Sequence, residues 1–202
     1  MISPKDALPI VINSCMSNIR QLITLVESKE KKDLVHADLS YARDELEPVK
    51  SKETMDYHYG TLYKGYVDRY NQGEGDADFN EAGAFLHNIY FPQLMPPKNS
   101  NQPHGASADL INRKYGNFKQ FQEEVAKIAM GIQGSGWVYM SRSGEIKTIK
   151  NHQIKKDIAL LIDWWEHAWV LDYQADKAKY LKNTWRMIDW ETINRRIYGG
   201  VR

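Results

Sequence analysis

The sequence predicts an α+β protein: an extra N-terminal helix, a helical hairpin, and a C-terminal domain of helices around a three-stranded antiparallel sheet. Apolar residues recur at three- and four-residue steps through the first half, as on amphipathic helices. A proline-rich linker follows at residues 92–106, and beyond it two short β-type runs flank a polar turn. We therefore divide the chain into an N-terminal extension at residues 1–37, a helical-hairpin domain at 38–98 and a mixed helix-and-strand domain at 99–202.

Composition narrows the class of protein. The 202 residues are 42% hydrophobic, enough for a real core, and the net charge is only +1. Such a charge argues against binding nucleic acid or a membrane surface by bulk electrostatics, and no apolar run approaches the roughly 20 residues that span a bilayer. Cys15 is the single cysteine, which excludes an internal disulfide framework and fits a reducing compartment. The N-terminus shows neither a signal nor a transit peptide, so we expect a cytoplasmic protein.

The first predicted helix spans residues 9–27. Its apolar face consists of Ile12, Cys15, Met16, Ile19, Leu22, Ile23 and Val26. Two interpretations stay open: the helix packs on its own domain, or it docks onto a partner in a larger assembly.

Two further helices form the predicted hairpin, at residues 51–71 and 79–91. Each carries one histidine, His58 or His87, within a stripe of apolar and aromatic residues. A single histidine in such a stripe is usually a hydrogen-bonded core residue. Neither residue indicates a function when it is considered alone.

The second half begins with two helices at residues 107–130, for which Ser107 and Asn117 are the predicted N-caps. A β-hairpin at residues 137–149 follows, with its turn at residues 141–145, and residues 158–162 supply a third strand. The last predicted helices span residues 177–187 and 190–197.

The run Asp163-Trp164-Trp165-Glu166-His167 directly follows the third predicted strand. A carboxylate and an imidazole four residues apart make half of a metal site, and both ligand types suit Fe, Mn or Zn. A buried Asp–His hydrogen bond within an aromatic core would have the same sequence pattern. Both interpretations remain open for this run by itself.

His58 and His87 from the two hairpin helices complete a specific set with Asp163 and His167. Three neutral imidazoles and one carboxylate suit a divalent or trivalent first-row ion and leave a position for solvent. Structural zinc sites usually recruit cysteine instead. The set therefore indicates a centre for redox or hydrolytic chemistry.

Six stretches of the chain resemble motifs of one family, the iron/manganese superoxide dismutases. In chain order they are Met55-Asp56-Tyr57-His58 with Tyr66-Val67, Phe85-Leu86-His87-Asn88-Ile89-Tyr90-Phe91, Gln133-Gly134-Ser135-Gly136-Trp137, Asp163-Trp164-Trp165-Glu166-His167-Ala168-Trp169, Leu171-Asp172-Tyr173-Gln174, and Trp185-Arg186-Met187-Ile188-Asp189-Trp190. The resemblance covers roughly residues 39–197.

The resemblance implies that His58, His87, Asp163 and His167 hold one Fe or Mn ion per subunit, with water or hydroxide as a fifth ligand. It implies that the substrate is superoxide, disproportionated to O₂ and H₂O₂ as an antioxidant oxidoreductase. It also implies that Glu166 reaches the ligand His167 of the other subunit in a homodimer or higher homo-oligomer.

The resemblance assigns further residues around the metal. Tyr66 matches the family's active-site tyrosine, and Trp137 and Trp165 match its aromatic walls. Many members place a glutamine beside the bound solvent, but one of its two usual positions is Gly83 here. We therefore expect His152 in that role, with Gln153 as the alternative.

Two positions depart from the family pattern. Leu62 replaces a histidine and Val170 replaces a tyrosine, so that both ends of the family's gate between subunits are apolar together. Residues 1–37 also have no counterpart. These departures motivate an alternative function: a structural or assembly protein on the dismutase fold, with reduced or no activity, joined to partners through the N-terminal extension.

Overall fold

The computed structural model of the chain describes residues 32–199. Its helices and strands are α1 (Lys52–Tyr57), a π-helical segment (His58–Tyr63), α2 (Lys64–Gln72), α3 (Ala77–Tyr90), a 3₁₀ turn (Phe91–Gln93), α4 (Gly105–Tyr115), α5 (Phe118–Met130), β1 (Gly136–Ser141), β2 (Ile146–Lys150), β3 (Ile158–Asp163), a 3₁₀ turn (Glu166–Ala168), α6 (Val170–Tyr173), α7 (Lys177–Thr184), a 3₁₀ turn (Trp185–Met187) and α8 (Trp190–Gly199).

The predicted α+β fold class is confirmed. The helix predicted at residues 9–27 lies outside the described residues. Residues 34–199 lie within one compact unit, and the domain division near residue 98 stays a prediction. Within residues 32–199 no helix has the length and apolar character needed to cross a membrane.

The hairpin is built from α1, the π-helical segment and α2 on one side and α3 on the other. Ser51 caps α1 by accepting a hydrogen bond from the backbone N–H of Thr54, and Asp76 caps α3 in the same way. Gly73 ends α2 in the left-handed conformation that glycine adopts without strain. The predicted helix at 51–71 is thus present, but its middle is π-helical, a wider turn that is frequent at functional sites.

The sheet has the strand order β2-β1-β3, and both pairings are antiparallel. All residues of β1 and β3 are buried, so these strands form the centre of the core. Their register places Trp137 opposite Asp163. The predicted three-stranded antiparallel sheet is confirmed, and one of its strands ends at a candidate ligand.

The predicted N-caps of the second half have different outcomes. Asn117 caps α5 by accepting from the N–H of Gln120, as predicted. The prediction for Ser107 is wrong, because α4 begins at Gly105 and the Ser107 hydroxyl donates to the carbonyl of His104. The N–H of Ser107 instead donates to the side chain of Asn194 at 2.8 Å, a partner 87 residues away that local sequence does not reveal.

Two buried side chains join the ligand-bearing helix α3 to the ligand-bearing strand β3. The Gln93 side chain pairs with both the N–H and the carbonyl of Leu161. Arg196 of α8 donates to Gln93, to the carbonyl of Ala159 and to the carbonyl of Ile89 at 2.7 Å. These bonds fix where the end of β3 lies relative to α3.

Candidate metal centre

The four predicted ligands come from four different local structures. His58 is the first residue of the π-helical segment, and His87 lies in the last turn of α3. Asp163 is the last residue of β3, and His167 lies in the short 3₁₀ turn that follows. A strand end and helical segments are rigid supports, which is what a metal site requires.

The side chains of these four residues meet at one point in the interior. Asp163 Oδ2 lies 3.1 Å from His58 Nε2, 3.3 Å from His167 Nε2 and 3.7 Å from His87 Nε2. One ligand atom from each residue lies within 4.8 Å of all the others. Separations of this size suit donors grouped around one ion at bond lengths of about 2.0–2.2 Å.

Hydrogen bonds fix which atoms face that point. His87 Nδ1 lies 2.7 Å from the carbonyl of Gly83, to which it donates, so the lone pair of Nε2 is free for a ligand bond. Asp163 Oδ1 accepts from the N–H of Trp165 at 2.9 Å, while Oδ2 faces the imidazoles. His58 Nε2 and His87 Nε2 are 3.0 Å apart in the interior. Converging nitrogen and carboxylate donors of this kind fit an Fe or Mn ion.

The protonation states also fit a metal ion. Burial lowers the pKa of His58 to about 3 and that of His87 well below its usual value, so both imidazoles are neutral at pH 7. Burial opposes ionisation of Asp163, but His167 and then His58 hold the pKa of this carboxyl well below its usual value. Neutral imidazoles and an ionised carboxylate are the forms that bind metal.

A second group of side chains surrounds the ligands. Trp137 Nε1–H donates to His152 Nδ1 at 3.2 Å, so the neutral His152 carries its proton on Nε2. The His152 ring stacks on Trp165 at 4.5 Å between centroids and lies 5.0 Å from the Tyr66 ring. The Tyr66 ring is itself 5.4 Å from the ring of His87. These residues form an aromatic wall on one side of the four ligands.

Comparison with known proteins bears directly on this arrangement. The alpha-hairpin domain of the iron/manganese superoxide dismutases matches residues 35–78, and the C-terminal domain of the same proteins matches residues 103–196. A superoxide dismutase [Fe] of Bacteroides fragilis is 34% identical over 186 residues, covering 79% of this chain and 96% of that protein. The chain belongs to the iron/manganese superoxide dismutase family.

Other relatives come from distant organisms. A superoxide dismutase [Mn/Fe] of Porphyromonas gingivalis is 35% identical over 185 residues, covering 78% of this chain and 96% of that protein. A superoxide dismutase [Fe] of Pyrobaculum aerophilum is 31% identical over 188 residues, covering 79% of this chain and 89% of that protein. The predictions of family, of a dismutase enzyme and of an Fe or Mn cofactor are thereby confirmed.

The remaining predicted residues lie outside the buried cluster that the four ligands form. Gln153 is exposed, whereas its neighbour His152 is buried against Trp137. Glu166 is also exposed, next to the ligand His167. Leu62 is half-buried and Val170 is 38% exposed, so within residues 32–199 neither contributes to the ligand cluster.

Sequence reasoning missed two supports of the dismutase centre. Gly83 faces the Tyr66 ring so closely that an added Cβ would lie 2.9 Å from Tyr66 Cγ. Its spacing of four residues before His87 could have revealed the carbonyl that orients this ligand. Lys50 is buried beside the loop that carries His167, and no local sequence signal reveals that burial.

Proposed function

We propose that this chain disproportionates superoxide to O₂ and H₂O₂ at a single Fe or Mn ion held by His58, His87, Asp163 and His167. Overall, two superoxide ions and two protons give one O₂ and one H₂O₂. When bound, the ion would supply one-electron redox chemistry, which couples the oxidation of one superoxide to the reduction of a second. The observation that carries the proposal is the convergence of three imidazoles on one oxygen of Asp163.

The surrounding residues have separate tasks. Trp137 holds His152 in the tautomer with its proton on Nε2, an atom that finds no partner among the described residues. Burial lowers the pKa of His152 to about 4 and raises the pKa of Tyr66 to about 12, so His152 stays neutral and Tyr66 keeps its proton at pH 7. We assign these two N–H and O–H donors to hydrogen bonding and proton supply beside the ligands. Gln153, being exposed, is not assigned this role.

Trp137 and Trp165 exclude water from the same region. Trp137 is fully buried and packs edge-on against the ring of His87, and Trp165 stacks on the ring of the ligand His167 at 5.6 Å between centroids. A dry surrounding strengthens the electrostatic influence of nearby groups on the metal.

We further propose a homodimer formed through Glu166 and His167. His167 has an 11% exposed side chain, whereas the side chains of the other three ligands are fully buried. A surface cavity of about 320 Å³ reaches His167 and is bordered by Glu166 and Lys177. The cavity leaves this ligand accessible to a carboxylate from a second copy.

The test of function uses protein loaded separately with Fe and with Mn. We expect at least one form to remove superoxide, and we expect His87→Ala to lose metal and activity while staying folded. A wild-type protein that binds either metal stoichiometrically yet removes no superoxide would contradict the proposal. It would favour the alternative of a structural protein, for which the names of the compared relatives offer no support.

The dimer has its own test. We expect sedimentation at micromolar concentration to show a dimer, and we expect Glu166→Ala to shift the equilibrium toward the monomer. Glu123→Ala serves as a matched control, because Glu123 is an exposed carboxylate on α5. A monomeric wild type that is unaffected by Glu166→Ala would contradict the proposed dimer.

A further inference from the structure

Lys50 is a lysine with only 1% of its surface exposed, which is rare for this residue type. Its ammonium group donates a hydrogen bond to the carbonyl of Ala168 and lies 5.5 Å from the centre of the Tyr180 ring. Ala168 directly follows the ligand His167, and Tyr180 OH donates to the carbonyl of the ligand Asp163 at 2.8 Å. Lys50 therefore contacts the immediate supports of two ligands.

The backbone around Lys50 is fastened to the same region. Tyr173 OH donates to the carbonyl of Val49 at 2.5 Å, and the N–H of Ser51 donates to Asp172 Oδ2 at 3.1 Å. Asp172 also accepts from the Thr54 hydroxyl at 2.8 Å. With partners on both sides, Lys50 is held in place and cannot swing its ammonium out to water.

The charge of Lys50 is not neutralised by direct contact. Among residues 32–199 no ion pair involves its ammonium group, and the carboxylates that act on it from a distance are Asp163 and Asp172. Burial lowers the pKa of Lys50 to about 8, against the opposing influence of Asp163 and then Asp172. The group is therefore a cation at neutral pH.

Stability alone does not account for this residue. A buried charge without a paired carboxylate costs free energy, and an apolar side chain of similar length would fill the space at lower cost. We propose that Lys50 is a positioning residue whose buried positive charge raises the reduction potential of the metal centre. This inference rests on the proposed function, because it concerns the same ion.

The direction of the shift in reduction potential follows from electrostatics. A fixed positive charge destabilises the trivalent ion more than the divalent ion, so it favours the reduced form. At an effective permittivity of about 20, a unit charge on the order of 10 Å away changes such an equilibrium about tenfold. A tenfold change in a one-electron couple corresponds to about 59 mV.

Two variants separate charge from hydrogen bonding. Lys50→Gln keeps a donor for the carbonyl of Ala168 but has no charge, and Lys50→Met has neither. Lys52→Gln is the matched control, because the side chain of Lys52 is 58% exposed and its charge is screened by water. The readouts are the midpoint potential of the metal-loaded protein at about pH 6, below the pKa of Lys50, and the Mn²⁺ dissociation constant of the metal-free protein.

We expect the oxidised-to-reduced ratio at a fixed ambient potential to rise about tenfold in Lys50→Gln, and also in Lys50→Met if that variant folds. We expect the same substitutions to leave the Mn²⁺ dissociation constant unchanged or smaller, since a repelling charge is gone, and Lys52→Gln to match the wild type. A Lys50→Gln protein with the potential of the wild type overturns the inference, as does one that binds Mn²⁺ more weakly. An inactive, metal-free wild type would instead contradict the proposed function itself.

Discussion

The ligand cluster differs in burial from the rim beside it. The ligand cluster consists of His58, His87, Asp163 and His167, and we call Leu62, Glu166 and Val170 the rim. At the ligand cluster His58, His87 and Asp163 are fully buried, His87 Nδ1 donates to the carbonyl of Gly83, and Asp163 Oδ1 accepts from the N–H of Trp165. At the rim Val170 is 38% exposed and Glu166 is also exposed. The comparison indicates that the ligand cluster is formed by contacts within the chain, whereas the rim is open to the second copy of the homodimer proposed above.

The first prediction tests whether the ligand cluster acts as one unit. Asp163→Asn replaces a carboxylate, one oxygen of which faces all three imidazoles, by a neutral amide. Substitution of a residue that only hydrogen-bonds to a metal ligand typically lowers metal affinity or activity about 10–100-fold. We therefore expect substitution of the ligand Asp163 itself to lower both by at least about 100-fold. Metal analysis after dialysis and a superoxide assay measure both effects.

Asp68→Asn is the control for this substitution, because Asp68 pairs with Lys64 on the exposed surface of α2. We expect it to retain metal and activity. If Asp163→Asn retained a full complement of metal, the cluster would not be the metal centre.

The second prediction concerns pH and the metal-free protein. The pKa of His58 is lowered to about 3 and that of His152 to about 4, mainly by burial, from about 6.5 in the unfolded chain. The unfolded chain therefore binds more protons at acid pH. Stability is fully present above about pH 6.5 and falls with decreasing pH, by up to about 1.4 kcal/mol per pH unit for each histidine.

Urea denaturation between about pH 7 and pH 5 measures this slope. We expect His152→Gln to have a shallower slope than the wild type, since one histidine no longer contributes. A free energy of unfolding that is constant over this range would contradict burial of neutral histidines in the cluster.

The third prediction tests how tightly the cluster's surroundings are packed. Gly83→Ala would place a Cβ 2.9 Å from Tyr66 Cγ, so the Tyr66 ring and α3 would have to move apart. We expect a loss of about 1–3 kcal/mol in the free energy of unfolding, measured by chemical denaturation. Gly199→Ala is the matched control, because, apart from its chain neighbours and its own helix backbone, no atom of the described residues lies within 4 Å of an added Cβ there.

The same pair of variants also bears on activity. Since the carbonyl of Gly83 orients His87, we expect Gly83→Ala to lower superoxide removal and Gly199→Ala to leave it unchanged. Equal stability and activity in the two variants would show that the space between Gly83 and Tyr66 can accommodate an added methyl group.

The smallest effect is expected at the rim. Leu62 is half-buried, so Leu62→Ala should cost about 1 kcal/mol or less in the single chain. Leu86→Ala is the interior counterpart, because Leu86 is fully buried beside His87, and it should cost about 2–5 kcal/mol. Both losses are measured as free energies of unfolding by chemical denaturation. Equal losses in the two variants would contradict the distinction between interior and rim.

The sequence by itself determined the fold class and the candidate ligands. Asp163 and His167 stand four residues apart after an apolar strand, so their proximity follows from local geometry. His58 and His87 could be added because motifs around them occur in family order. The Ser107 cap failed for the complementary reason: its N–H is satisfied by Asn194, 87 residues away.

Only the tertiary structure decided which neighbours support the ligands. In the folded chain His152 is buried against Trp137, whereas Gln153 is exposed. The sequence shows two adjacent polar residues in a loop and does not reveal which of them is buried. The tertiary structure also buries Lys50 against Ala168, 118 residues away. Spacing along a helix or strand fixes geometry over a few residues, whereas burial and charge environment depend on surfaces that meet only when distant segments pack together.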